Sequence, residues 1–125
     1  MKQIIHTDLA PKAVGPYSQA VMTKDMIYTS GQIPINPAEG KVVAVTIEEQ
    51  TEQVMKNLKA VLAEAGVGMD RIVKTTCYLA DIADFAAFNG VYAQYFPENP
   101  PARSCFQVAA LPMGVKVEVE VIAVR

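Results

Sequence analysis

The chain has 125 residues, 51% of them hydrophobic and 19% charged, and eleven basic against thirteen acidic side chains leave a net charge of −2. That balance excludes wholesale disorder and lacks the basic footprint of a nucleic-acid or anionic-membrane binder. No run approaches the roughly 20 apolar residues of a membrane span.

The opening residues 1–8 lack the apolar core of a signal peptide. Cys77 and Cys105 are too few for a disulfide framework and read as reduced thiols. A reducing, cytoplasmic setting is expected. No repeat, low-complexity tract or linker interrupts the chain, so residues 1–125 are expected to form one domain.

Ile4-Ile5 and Ser18 to Met22 read as weak strands on either side of a loop from Pro11 to Pro16. Within that loop region Gly15-Pro16-Tyr17-Ser18 is a stiff turn that places a tyrosine, as either a wall for a ligand or a cover for the core edge. Met26 to Ser30 reads as a strand, and Gly31 at its end lets a ligand approach the backbone closely. Thr46-Ile47-Glu48-Glu49 has the form of a capping box. Ile47, Val54, Leu58, Val61, Leu62 and Ala65 then make one apolar stripe, closed by Gly66, so a helix is predicted over 46–65.

Ile72 to Leu79 is β-branched and aromatic and predicts a strand. A second helix starts near Asp81, with Phe85, Phe88, Tyr92 and Phe96 as its stripe and Pro97 as its limit. Asn89 lies one position off that stripe. After Pro100-Pro101, Arg103 to Val108 reads as a strand. Lys116 to Val124 alternates, with Val117, Val119 and Val121 on one face and Lys116, Glu118 and Glu120 on the other. Leu111 to Gly114 is expected to turn these last two strands back on each other.

The order of elements predicts an α+β fold, one mixed sheet with two helices packed on one face. Ile122 and Val124 would then point away from the helices, and a second subunit would cover them.

Candidate chemistry centres on Arg103 and Cys105, which share a strand face. A guanidinium can grip a carboxylate in two hydrogen bonds, or simply pair with Glu118 or Glu120 at a sheet edge. If the last two strands pair, an acid can approach Arg103 across the ladder and activate a water; otherwise Glu118 and Glu120 are solvated carboxylates. Cys105 as nucleophile would need a base, and the chain's one histidine, His6, lies in the first strand. One His and two distant Cys give no metal-ligand spacing. Neither a phosphate-binding loop nor a Gly-x-Ser-x-Gly elbow is present.

Five segments in order, Gly15-Pro16-Tyr17-Ser18-Gln19, Thr29-Ser30-Gly31-Gln32-Ile33-Pro34, Val73-Lys74-Thr75-Thr76, Pro101-Ala102-Arg103-Ser104-Cys105 and Val117-Glu118-Val119-Glu120, resemble the Rid family of reactive intermediate deaminases, the YjgF-type proteins. Within it the chain looks like the RidA subgroup. The resemblance implies a chorismate-mutase-like fold, a homotrimer and active sites in clefts between subunits. It implies hydrolysis of 2-imino acids and their enamines, such as 2-aminoacrylate and 2-aminocrotonate, to 2-keto acids and ammonia (2-iminobutanoate/2-iminopropanoate deaminase). No cofactor, nucleic acid or membrane is implied, and the functional link is to pyridoxal-phosphate enzymes that release such intermediates.

By the same resemblance, Arg103 would grip the substrate carboxylate and Glu118 would activate water. Backbone around Gly31 and Cys105 would hold substrate, Tyr17 would wall the cleft, and Ser30 and Asn89 would line it. The alternative is a non-catalytic, metabolite-binding regulatory trimer that uses the same cleft. RNA cleavage, also attached to this family, fits poorly with one His and a negative chain. Two departures, a short connection from Phe96 to Ala102 and the uncharged Gln107 and Ala110, bear on substrate size and subunit contacts.

Overall fold

The computed structural model describes residues 1–125. Eight strands and two α-helices follow one another along the chain: β1 (Gln3–Ile5), β2 (Ala20–Met22), β3 (Met26–Thr29), β4 (Ile35–Asn36), β5 (Lys41–Val42), α1 (Ile47–Glu64), β6 (Ile72–Leu79), α2 (Phe85–Tyr92), β7 (Ala102–Gln107) and β8 (Val117–Val124). Six strands form one mixed sheet in the order β1-β2-β3-β8-β6-β7, and β4 with β5 makes a separate small ladder. All neighbours are antiparallel except β6 and β7, which α2 connects in parallel. The predicted α+β architecture is what forms.

The first helix starts where its capping box does. The Thr46 hydroxyl accepts from the Glu49 amide, and Glu49 accepts from the Thr46 amide, each at 3.1 Å. Its buried side, Val54, Met55, Leu58, Val61 and Leu62, meets the sheet face built by Ile27, Cys77, Leu79, Val117, Val119 and Val121. Gly66, at φ +87, takes the left-handed turn that ends the helix. The second helix is shorter than its aromatic stripe. Asp81 caps a 3-10 turn over Ile82–Asp84, α2 follows, and another 3-10 turn runs over Ala93–Tyr95 before Pro97 stops the chain from continuing. No helix is long and apolar enough to cross a membrane.

One expectation is overturned. The last two strands do not pair: β6 lies between β7 and β8, hydrogen-bonded to both. The turn over Pro112–Gly114 therefore carries the chain past β6 rather than folding a hairpin. The physical reason lies in β6, which is buried at alternate positions from Thr75 on (Thr75, Cys77, Leu79) and occupies the middle of the sheet, leaving β7 as its edge.

Other differences are local. His6 falls just outside β1 and is exposed, its Nε2 3.3 Å from Asp8. The β4–β5 ladder had no sequence signal. It is held on α1 by Asn57, whose side-chain amide donates to the carbonyls of Ile33 and Ile35.

Candidate functional site

Strand pairing decides which site residues can meet. Arg103 lies beside Thr75, and Cys105 beside Cys77, on the sheet face that the helices cover. Glu118 lies beside Tyr78, and Glu120 beside Thr76, on the opposite, uncovered face. Within one chain, then, an acid does not approach Arg103 across a ladder: the strands are not neighbours and the side chains point to opposite sides. The site residues fall into two separate groups.

The first group surrounds Arg103. Its guanidinium sits 4.9 Å from the Tyr92 ring centroid and 5.3 Å from that of Phe85, and Nη1 donates to the Asn89 side-chain oxygen at 2.7 Å. The residues of α2 that make the apolar stripe thus also form a cage for the arginine. Asn89 is part of that cage rather than a solvated amide.

Tyr92 is fixed in turn by a 2.8 Å hydrogen bond to the buried Thr75 hydroxyl. No carboxylate of the chain pairs with Arg103, which removes the edge ion-pair reading. A groove of about 350 Å³ opens here, lined in part by Asn89, Tyr92, Pro101 and Arg103.

The half-buried Cys105 follows on the same face. Burial pushes its thiol up, with Arg103 opposing, and no histidine is at hand. Burial takes the Cys77 thiol up to about 12. Both thiols are free. This is the setting of inert thiols rather than of an activated nucleophile. No group of three His, Cys, Asp or Glu side chains converges as metal ligands would.

The second group surrounds Glu118. Backbone hydrogen bonds join Gln32 to Val119 in both directions, at 2.8 and 3.2 Å, and so press the Ser30–Gly31 backbone against β8. Gly31 is required there for space. A Cβ at that position would lie 2.0 Å from Glu118 Oε2. Burial, and secondarily the Glu120 charge, raise the Glu118 carboxyl above the usual carboxylate range.

Ser30 donates its hydroxyl to the Ser18 carbonyl at 2.6 Å, tying this turn to the Tyr17 loop. Gln19 anchors the same loop from below: its buried side chain accepts from the Thr7 amide and donates to the Pro11 carbonyl. Tyr17, half exposed, joins Ser30, Gly31, Ile33, Pro112 and Glu118 around an open cleft of about 440 Å³.

The sequence reading pointed to all of these side chains except the supporting ones. Gln19 and Gln32 stood inside the motifs without a role, and the aromatic cage was visible only as a helix stripe. Gln107, noted as a departure, accepts from the Ile82 amide at 2.9 Å and steadies the turn into α2.

Residues 7–125 match the family model described as Endoribonuclease L-PSP. The chain belongs to the Rid (YjgF) family. It is 48% identical over 122 residues to "Reactive Intermediate Deaminase A, chloroplastic" of Arabidopsis thaliana, covering 98% of this chain and 65% of that protein. It is 51% identical over 129 residues to a RutC family protein of Haemophilus influenzae, covering 100% of this chain and 98% of that one. The crystal structure of the Rid family protein YyfA from Yersinia pestis, itself of unknown function, superposes with a TM-score of 0.97 at 50% identity over the whole of both chains. Such agreement confirms the two-helix, mixed-sheet architecture of this Rid chain.

Proposed function

We propose that this Rid chain is a hydrolytic deaminase of small 2-imino acids and their enamine tautomers, such as 2-aminoacrylate and 2-aminocrotonate. It acts as one 125-residue unit in a homotrimer, in clefts where the Arg103 group of one copy meets the Glu118 group of another. The observation that carries this reading is the state of Arg103. Its guanidinium is caged and held by Asn89 but has no carboxylate partner in its own chain. A guanidinium so presented suits a bound carboxylate in a bidentate pair. The Arabidopsis relative's name supplies the reaction class.

The chemistry asks little of the protein. Arg103 takes the substrate carboxylate, so that the imine carbon lies near Glu118 of the second copy. Glu118 accepts a proton from water as the water oxygen bonds to the imine carbon and the C=N electron pair moves to nitrogen. The same carboxyl then returns the proton to nitrogen. Glu118 then takes the carbinolamine hydroxyl proton and hands it to the amino nitrogen as the C–N bond breaks and the C=O bond forms, and a 2-keto acid and ammonia leave. Positioning and one acid–base group suffice. Reactions that supply such substrates are eliminations by pyridoxal-phosphate enzymes, the partners the family resemblance implies.

The test couples the purified protein to an amino-acid oxidase that releases imine, with semicarbazide as competing trap. Wild type is expected to outrun the trap. Arg103→Ala, with its fold checked by circular dichroism, is expected to lose roughly 100-fold, the scale of two charge-assisted hydrogen bonds. Normal turnover by folded Arg103→Ala overturns the clamp. Absence of turnover with retained, Arg103-dependent keto-acid binding replaces the enzyme by the regulatory binding reading.

A further inference from the structure

The cleft around Glu118 holds a second carboxylate that the mechanism does not use. Glu120 lines the same cleft, two residues along β8 and on the same face. Tyr78, on the neighbouring strand β6, stands directly beside Glu118 in register, yet its hydroxyl reaches diagonally to Glu120 and donates to Oε1 at 2.5 Å. Phe106 of β7 packs edge-on against the Tyr78 ring, with centroids 5.4 Å apart and planes at 87°, and fixes it from the far side.

We propose that Tyr78 and Glu120 are positioning residues for Glu118: the Tyr78 hydroxyl holds the Glu120 carboxylate in the cleft, and that held charge makes Glu118 a stronger base toward the attacking water. The inference rests on the deaminase reading for its catalytic meaning, though not for its electrostatics.

The charges around Glu118 allow this. From β8 it is accompanied by Glu120 and, at the strand's start, by Lys116; from β6 by Tyr78 and, farther along, Lys74; and from the loop before β2 by Tyr17. Lys74 is turned to Ser104, with Nζ donating at 3.0 Å. No cation of the chain forms an ion pair with Glu120, so its charge stays unneutralised. The chain's own Arg103 lies on the other sheet face. The Arg103 of a second copy would arrive with its charge engaged by the substrate carboxylate. Burial and the nearby Glu120 charge both hold the Glu118 carboxyl up. The hydrogen bond to Glu120, with burial, takes the Tyr78 hydroxyl up to about 12, so it stays a donor at every pH where the site would work.

A free Glu120 would swing into solvent and its influence would be screened. The tyrosine prevents that. A base whose affinity for protons lies nearer the working pH is the more effective one, and it also retains the proton until nitrogen needs it.

The experiment follows the Glu118 carboxyl directly. Protein labelled with carbon-13 at glutamate carboxyls is titrated by NMR, with Glu118→Gln identifying the resonance. Wild type, Glu120→Gln, Tyr78→Phe and the double variant are compared, and the pH profile of imine hydrolysis is measured on the same samples. In Glu120→Gln the Glu118 midpoint and the acid limb of kcat/KM are expected to move together to lower pH, with the plateau down roughly 3-fold. Tyr78→Phe is expected to move both the same way by less in the native background, and not at all when Glu120 is already Gln.

An unmoved Glu118 midpoint in Glu120→Gln overturns the proposal, as does a Tyr78→Phe effect of equal size in both backgrounds. The two readings fail separately. A moved midpoint in a protein without turnover keeps the electrostatic pairing and removes the deaminase. Turnover with an unmoved midpoint does the reverse.

Discussion

At the scale of single residues, Gly31 and Glu118 are one feature. The glycine's missing Cβ is the space the carboxylate occupies. In Gly31→Ala the atom that must yield is the far end of a flexible side chain, so the fold is expected to survive with little change in melting temperature. Imine turnover is expected to fall by roughly 100-fold, the scale of an ångström's misplacement of a catalytic group. Equal loss of stability and activity would mean that the backbone, not the carboxylate, is what moves.

Glu118 itself carries a stability cost. Its folded carboxyl is raised by burial and by Glu120, so the folded state holds a proton there more readily than the unfolded chain does. The cost is full above the folded value and disappears as pH falls through the unfolded one. Glu118→Gln is therefore expected to raise the melting temperature at pH 7, and the gain is expected to vanish in acid. A pH-independent gain in thermal scans would instead point to packing.

At the scale of elements, α1 depends on its first turn. Thr46→Ala removes the hydroxyl that accepts from the Glu49 amide. The expected loss is about 1 kcal/mol, or roughly 4 °C for a domain of this size. The Thr46 backbone amide, then its hydroxyl, hold the Glu49 carboxyl below its ordinary value. That contribution is present above the unfolded value and is lost as pH falls through the folded one. The penalty of Thr46→Ala is thus expected to shrink in acid, which urea denaturation at two pH values measures.

This helix was legible because its signals are local. A capping box, a stripe and a terminal glycine lie within one stretch and agree. Strand β8 was legible for the same reason, its alternation being uninterrupted. The β4–β5 ladder was not, because two residues per strand carry no period and its anchor, Asn57, lies on α1. The broken ends of α2 were missed because an aromatic stripe continues across 3-10 turns that eclipse side chains three apart.

At the scale of the whole molecule, the sequence reading misjudged how the side chains it named meet. Adjacent strands in a chain are usually neighbours in a sheet, and that prior placed β7 beside β8. The structure puts β6 between them, so Arg103 and Glu118 face opposite ways. Strand order is non-local information, and no residue in β7 or β8 announces it.

The same arrangement makes the proposed assembly testable by mixing. Arg103→Ala and Glu118→Gln chains, each inactive alone, are unfolded together and refolded. With random assortment, a cleft drawing its arginine from one chain and its glutamate from the next is intact about one time in four. Recovery of roughly a quarter of the wild-type rate is expected. No recovery, with trimers present by sedimentation, would place both groups of a cleft on the same chain.

Residues divided between the two faces of a sheet also have a meaning for inheritance. Under the proposed assembly, a subunit damaged only at Arg103 spoils the one cleft to which it lends that arginine. A subunit that folds and assembles but has lost both groups spoils the clefts on either side of it. In a cell that carries one sound and one damaged allele, the first kind of lesion lowers activity in step with dose. The second lowers it further, because each defective chain also idles a sound neighbour. A chain too unstable to assemble costs no more than the first kind, since the sound chains then find only one another.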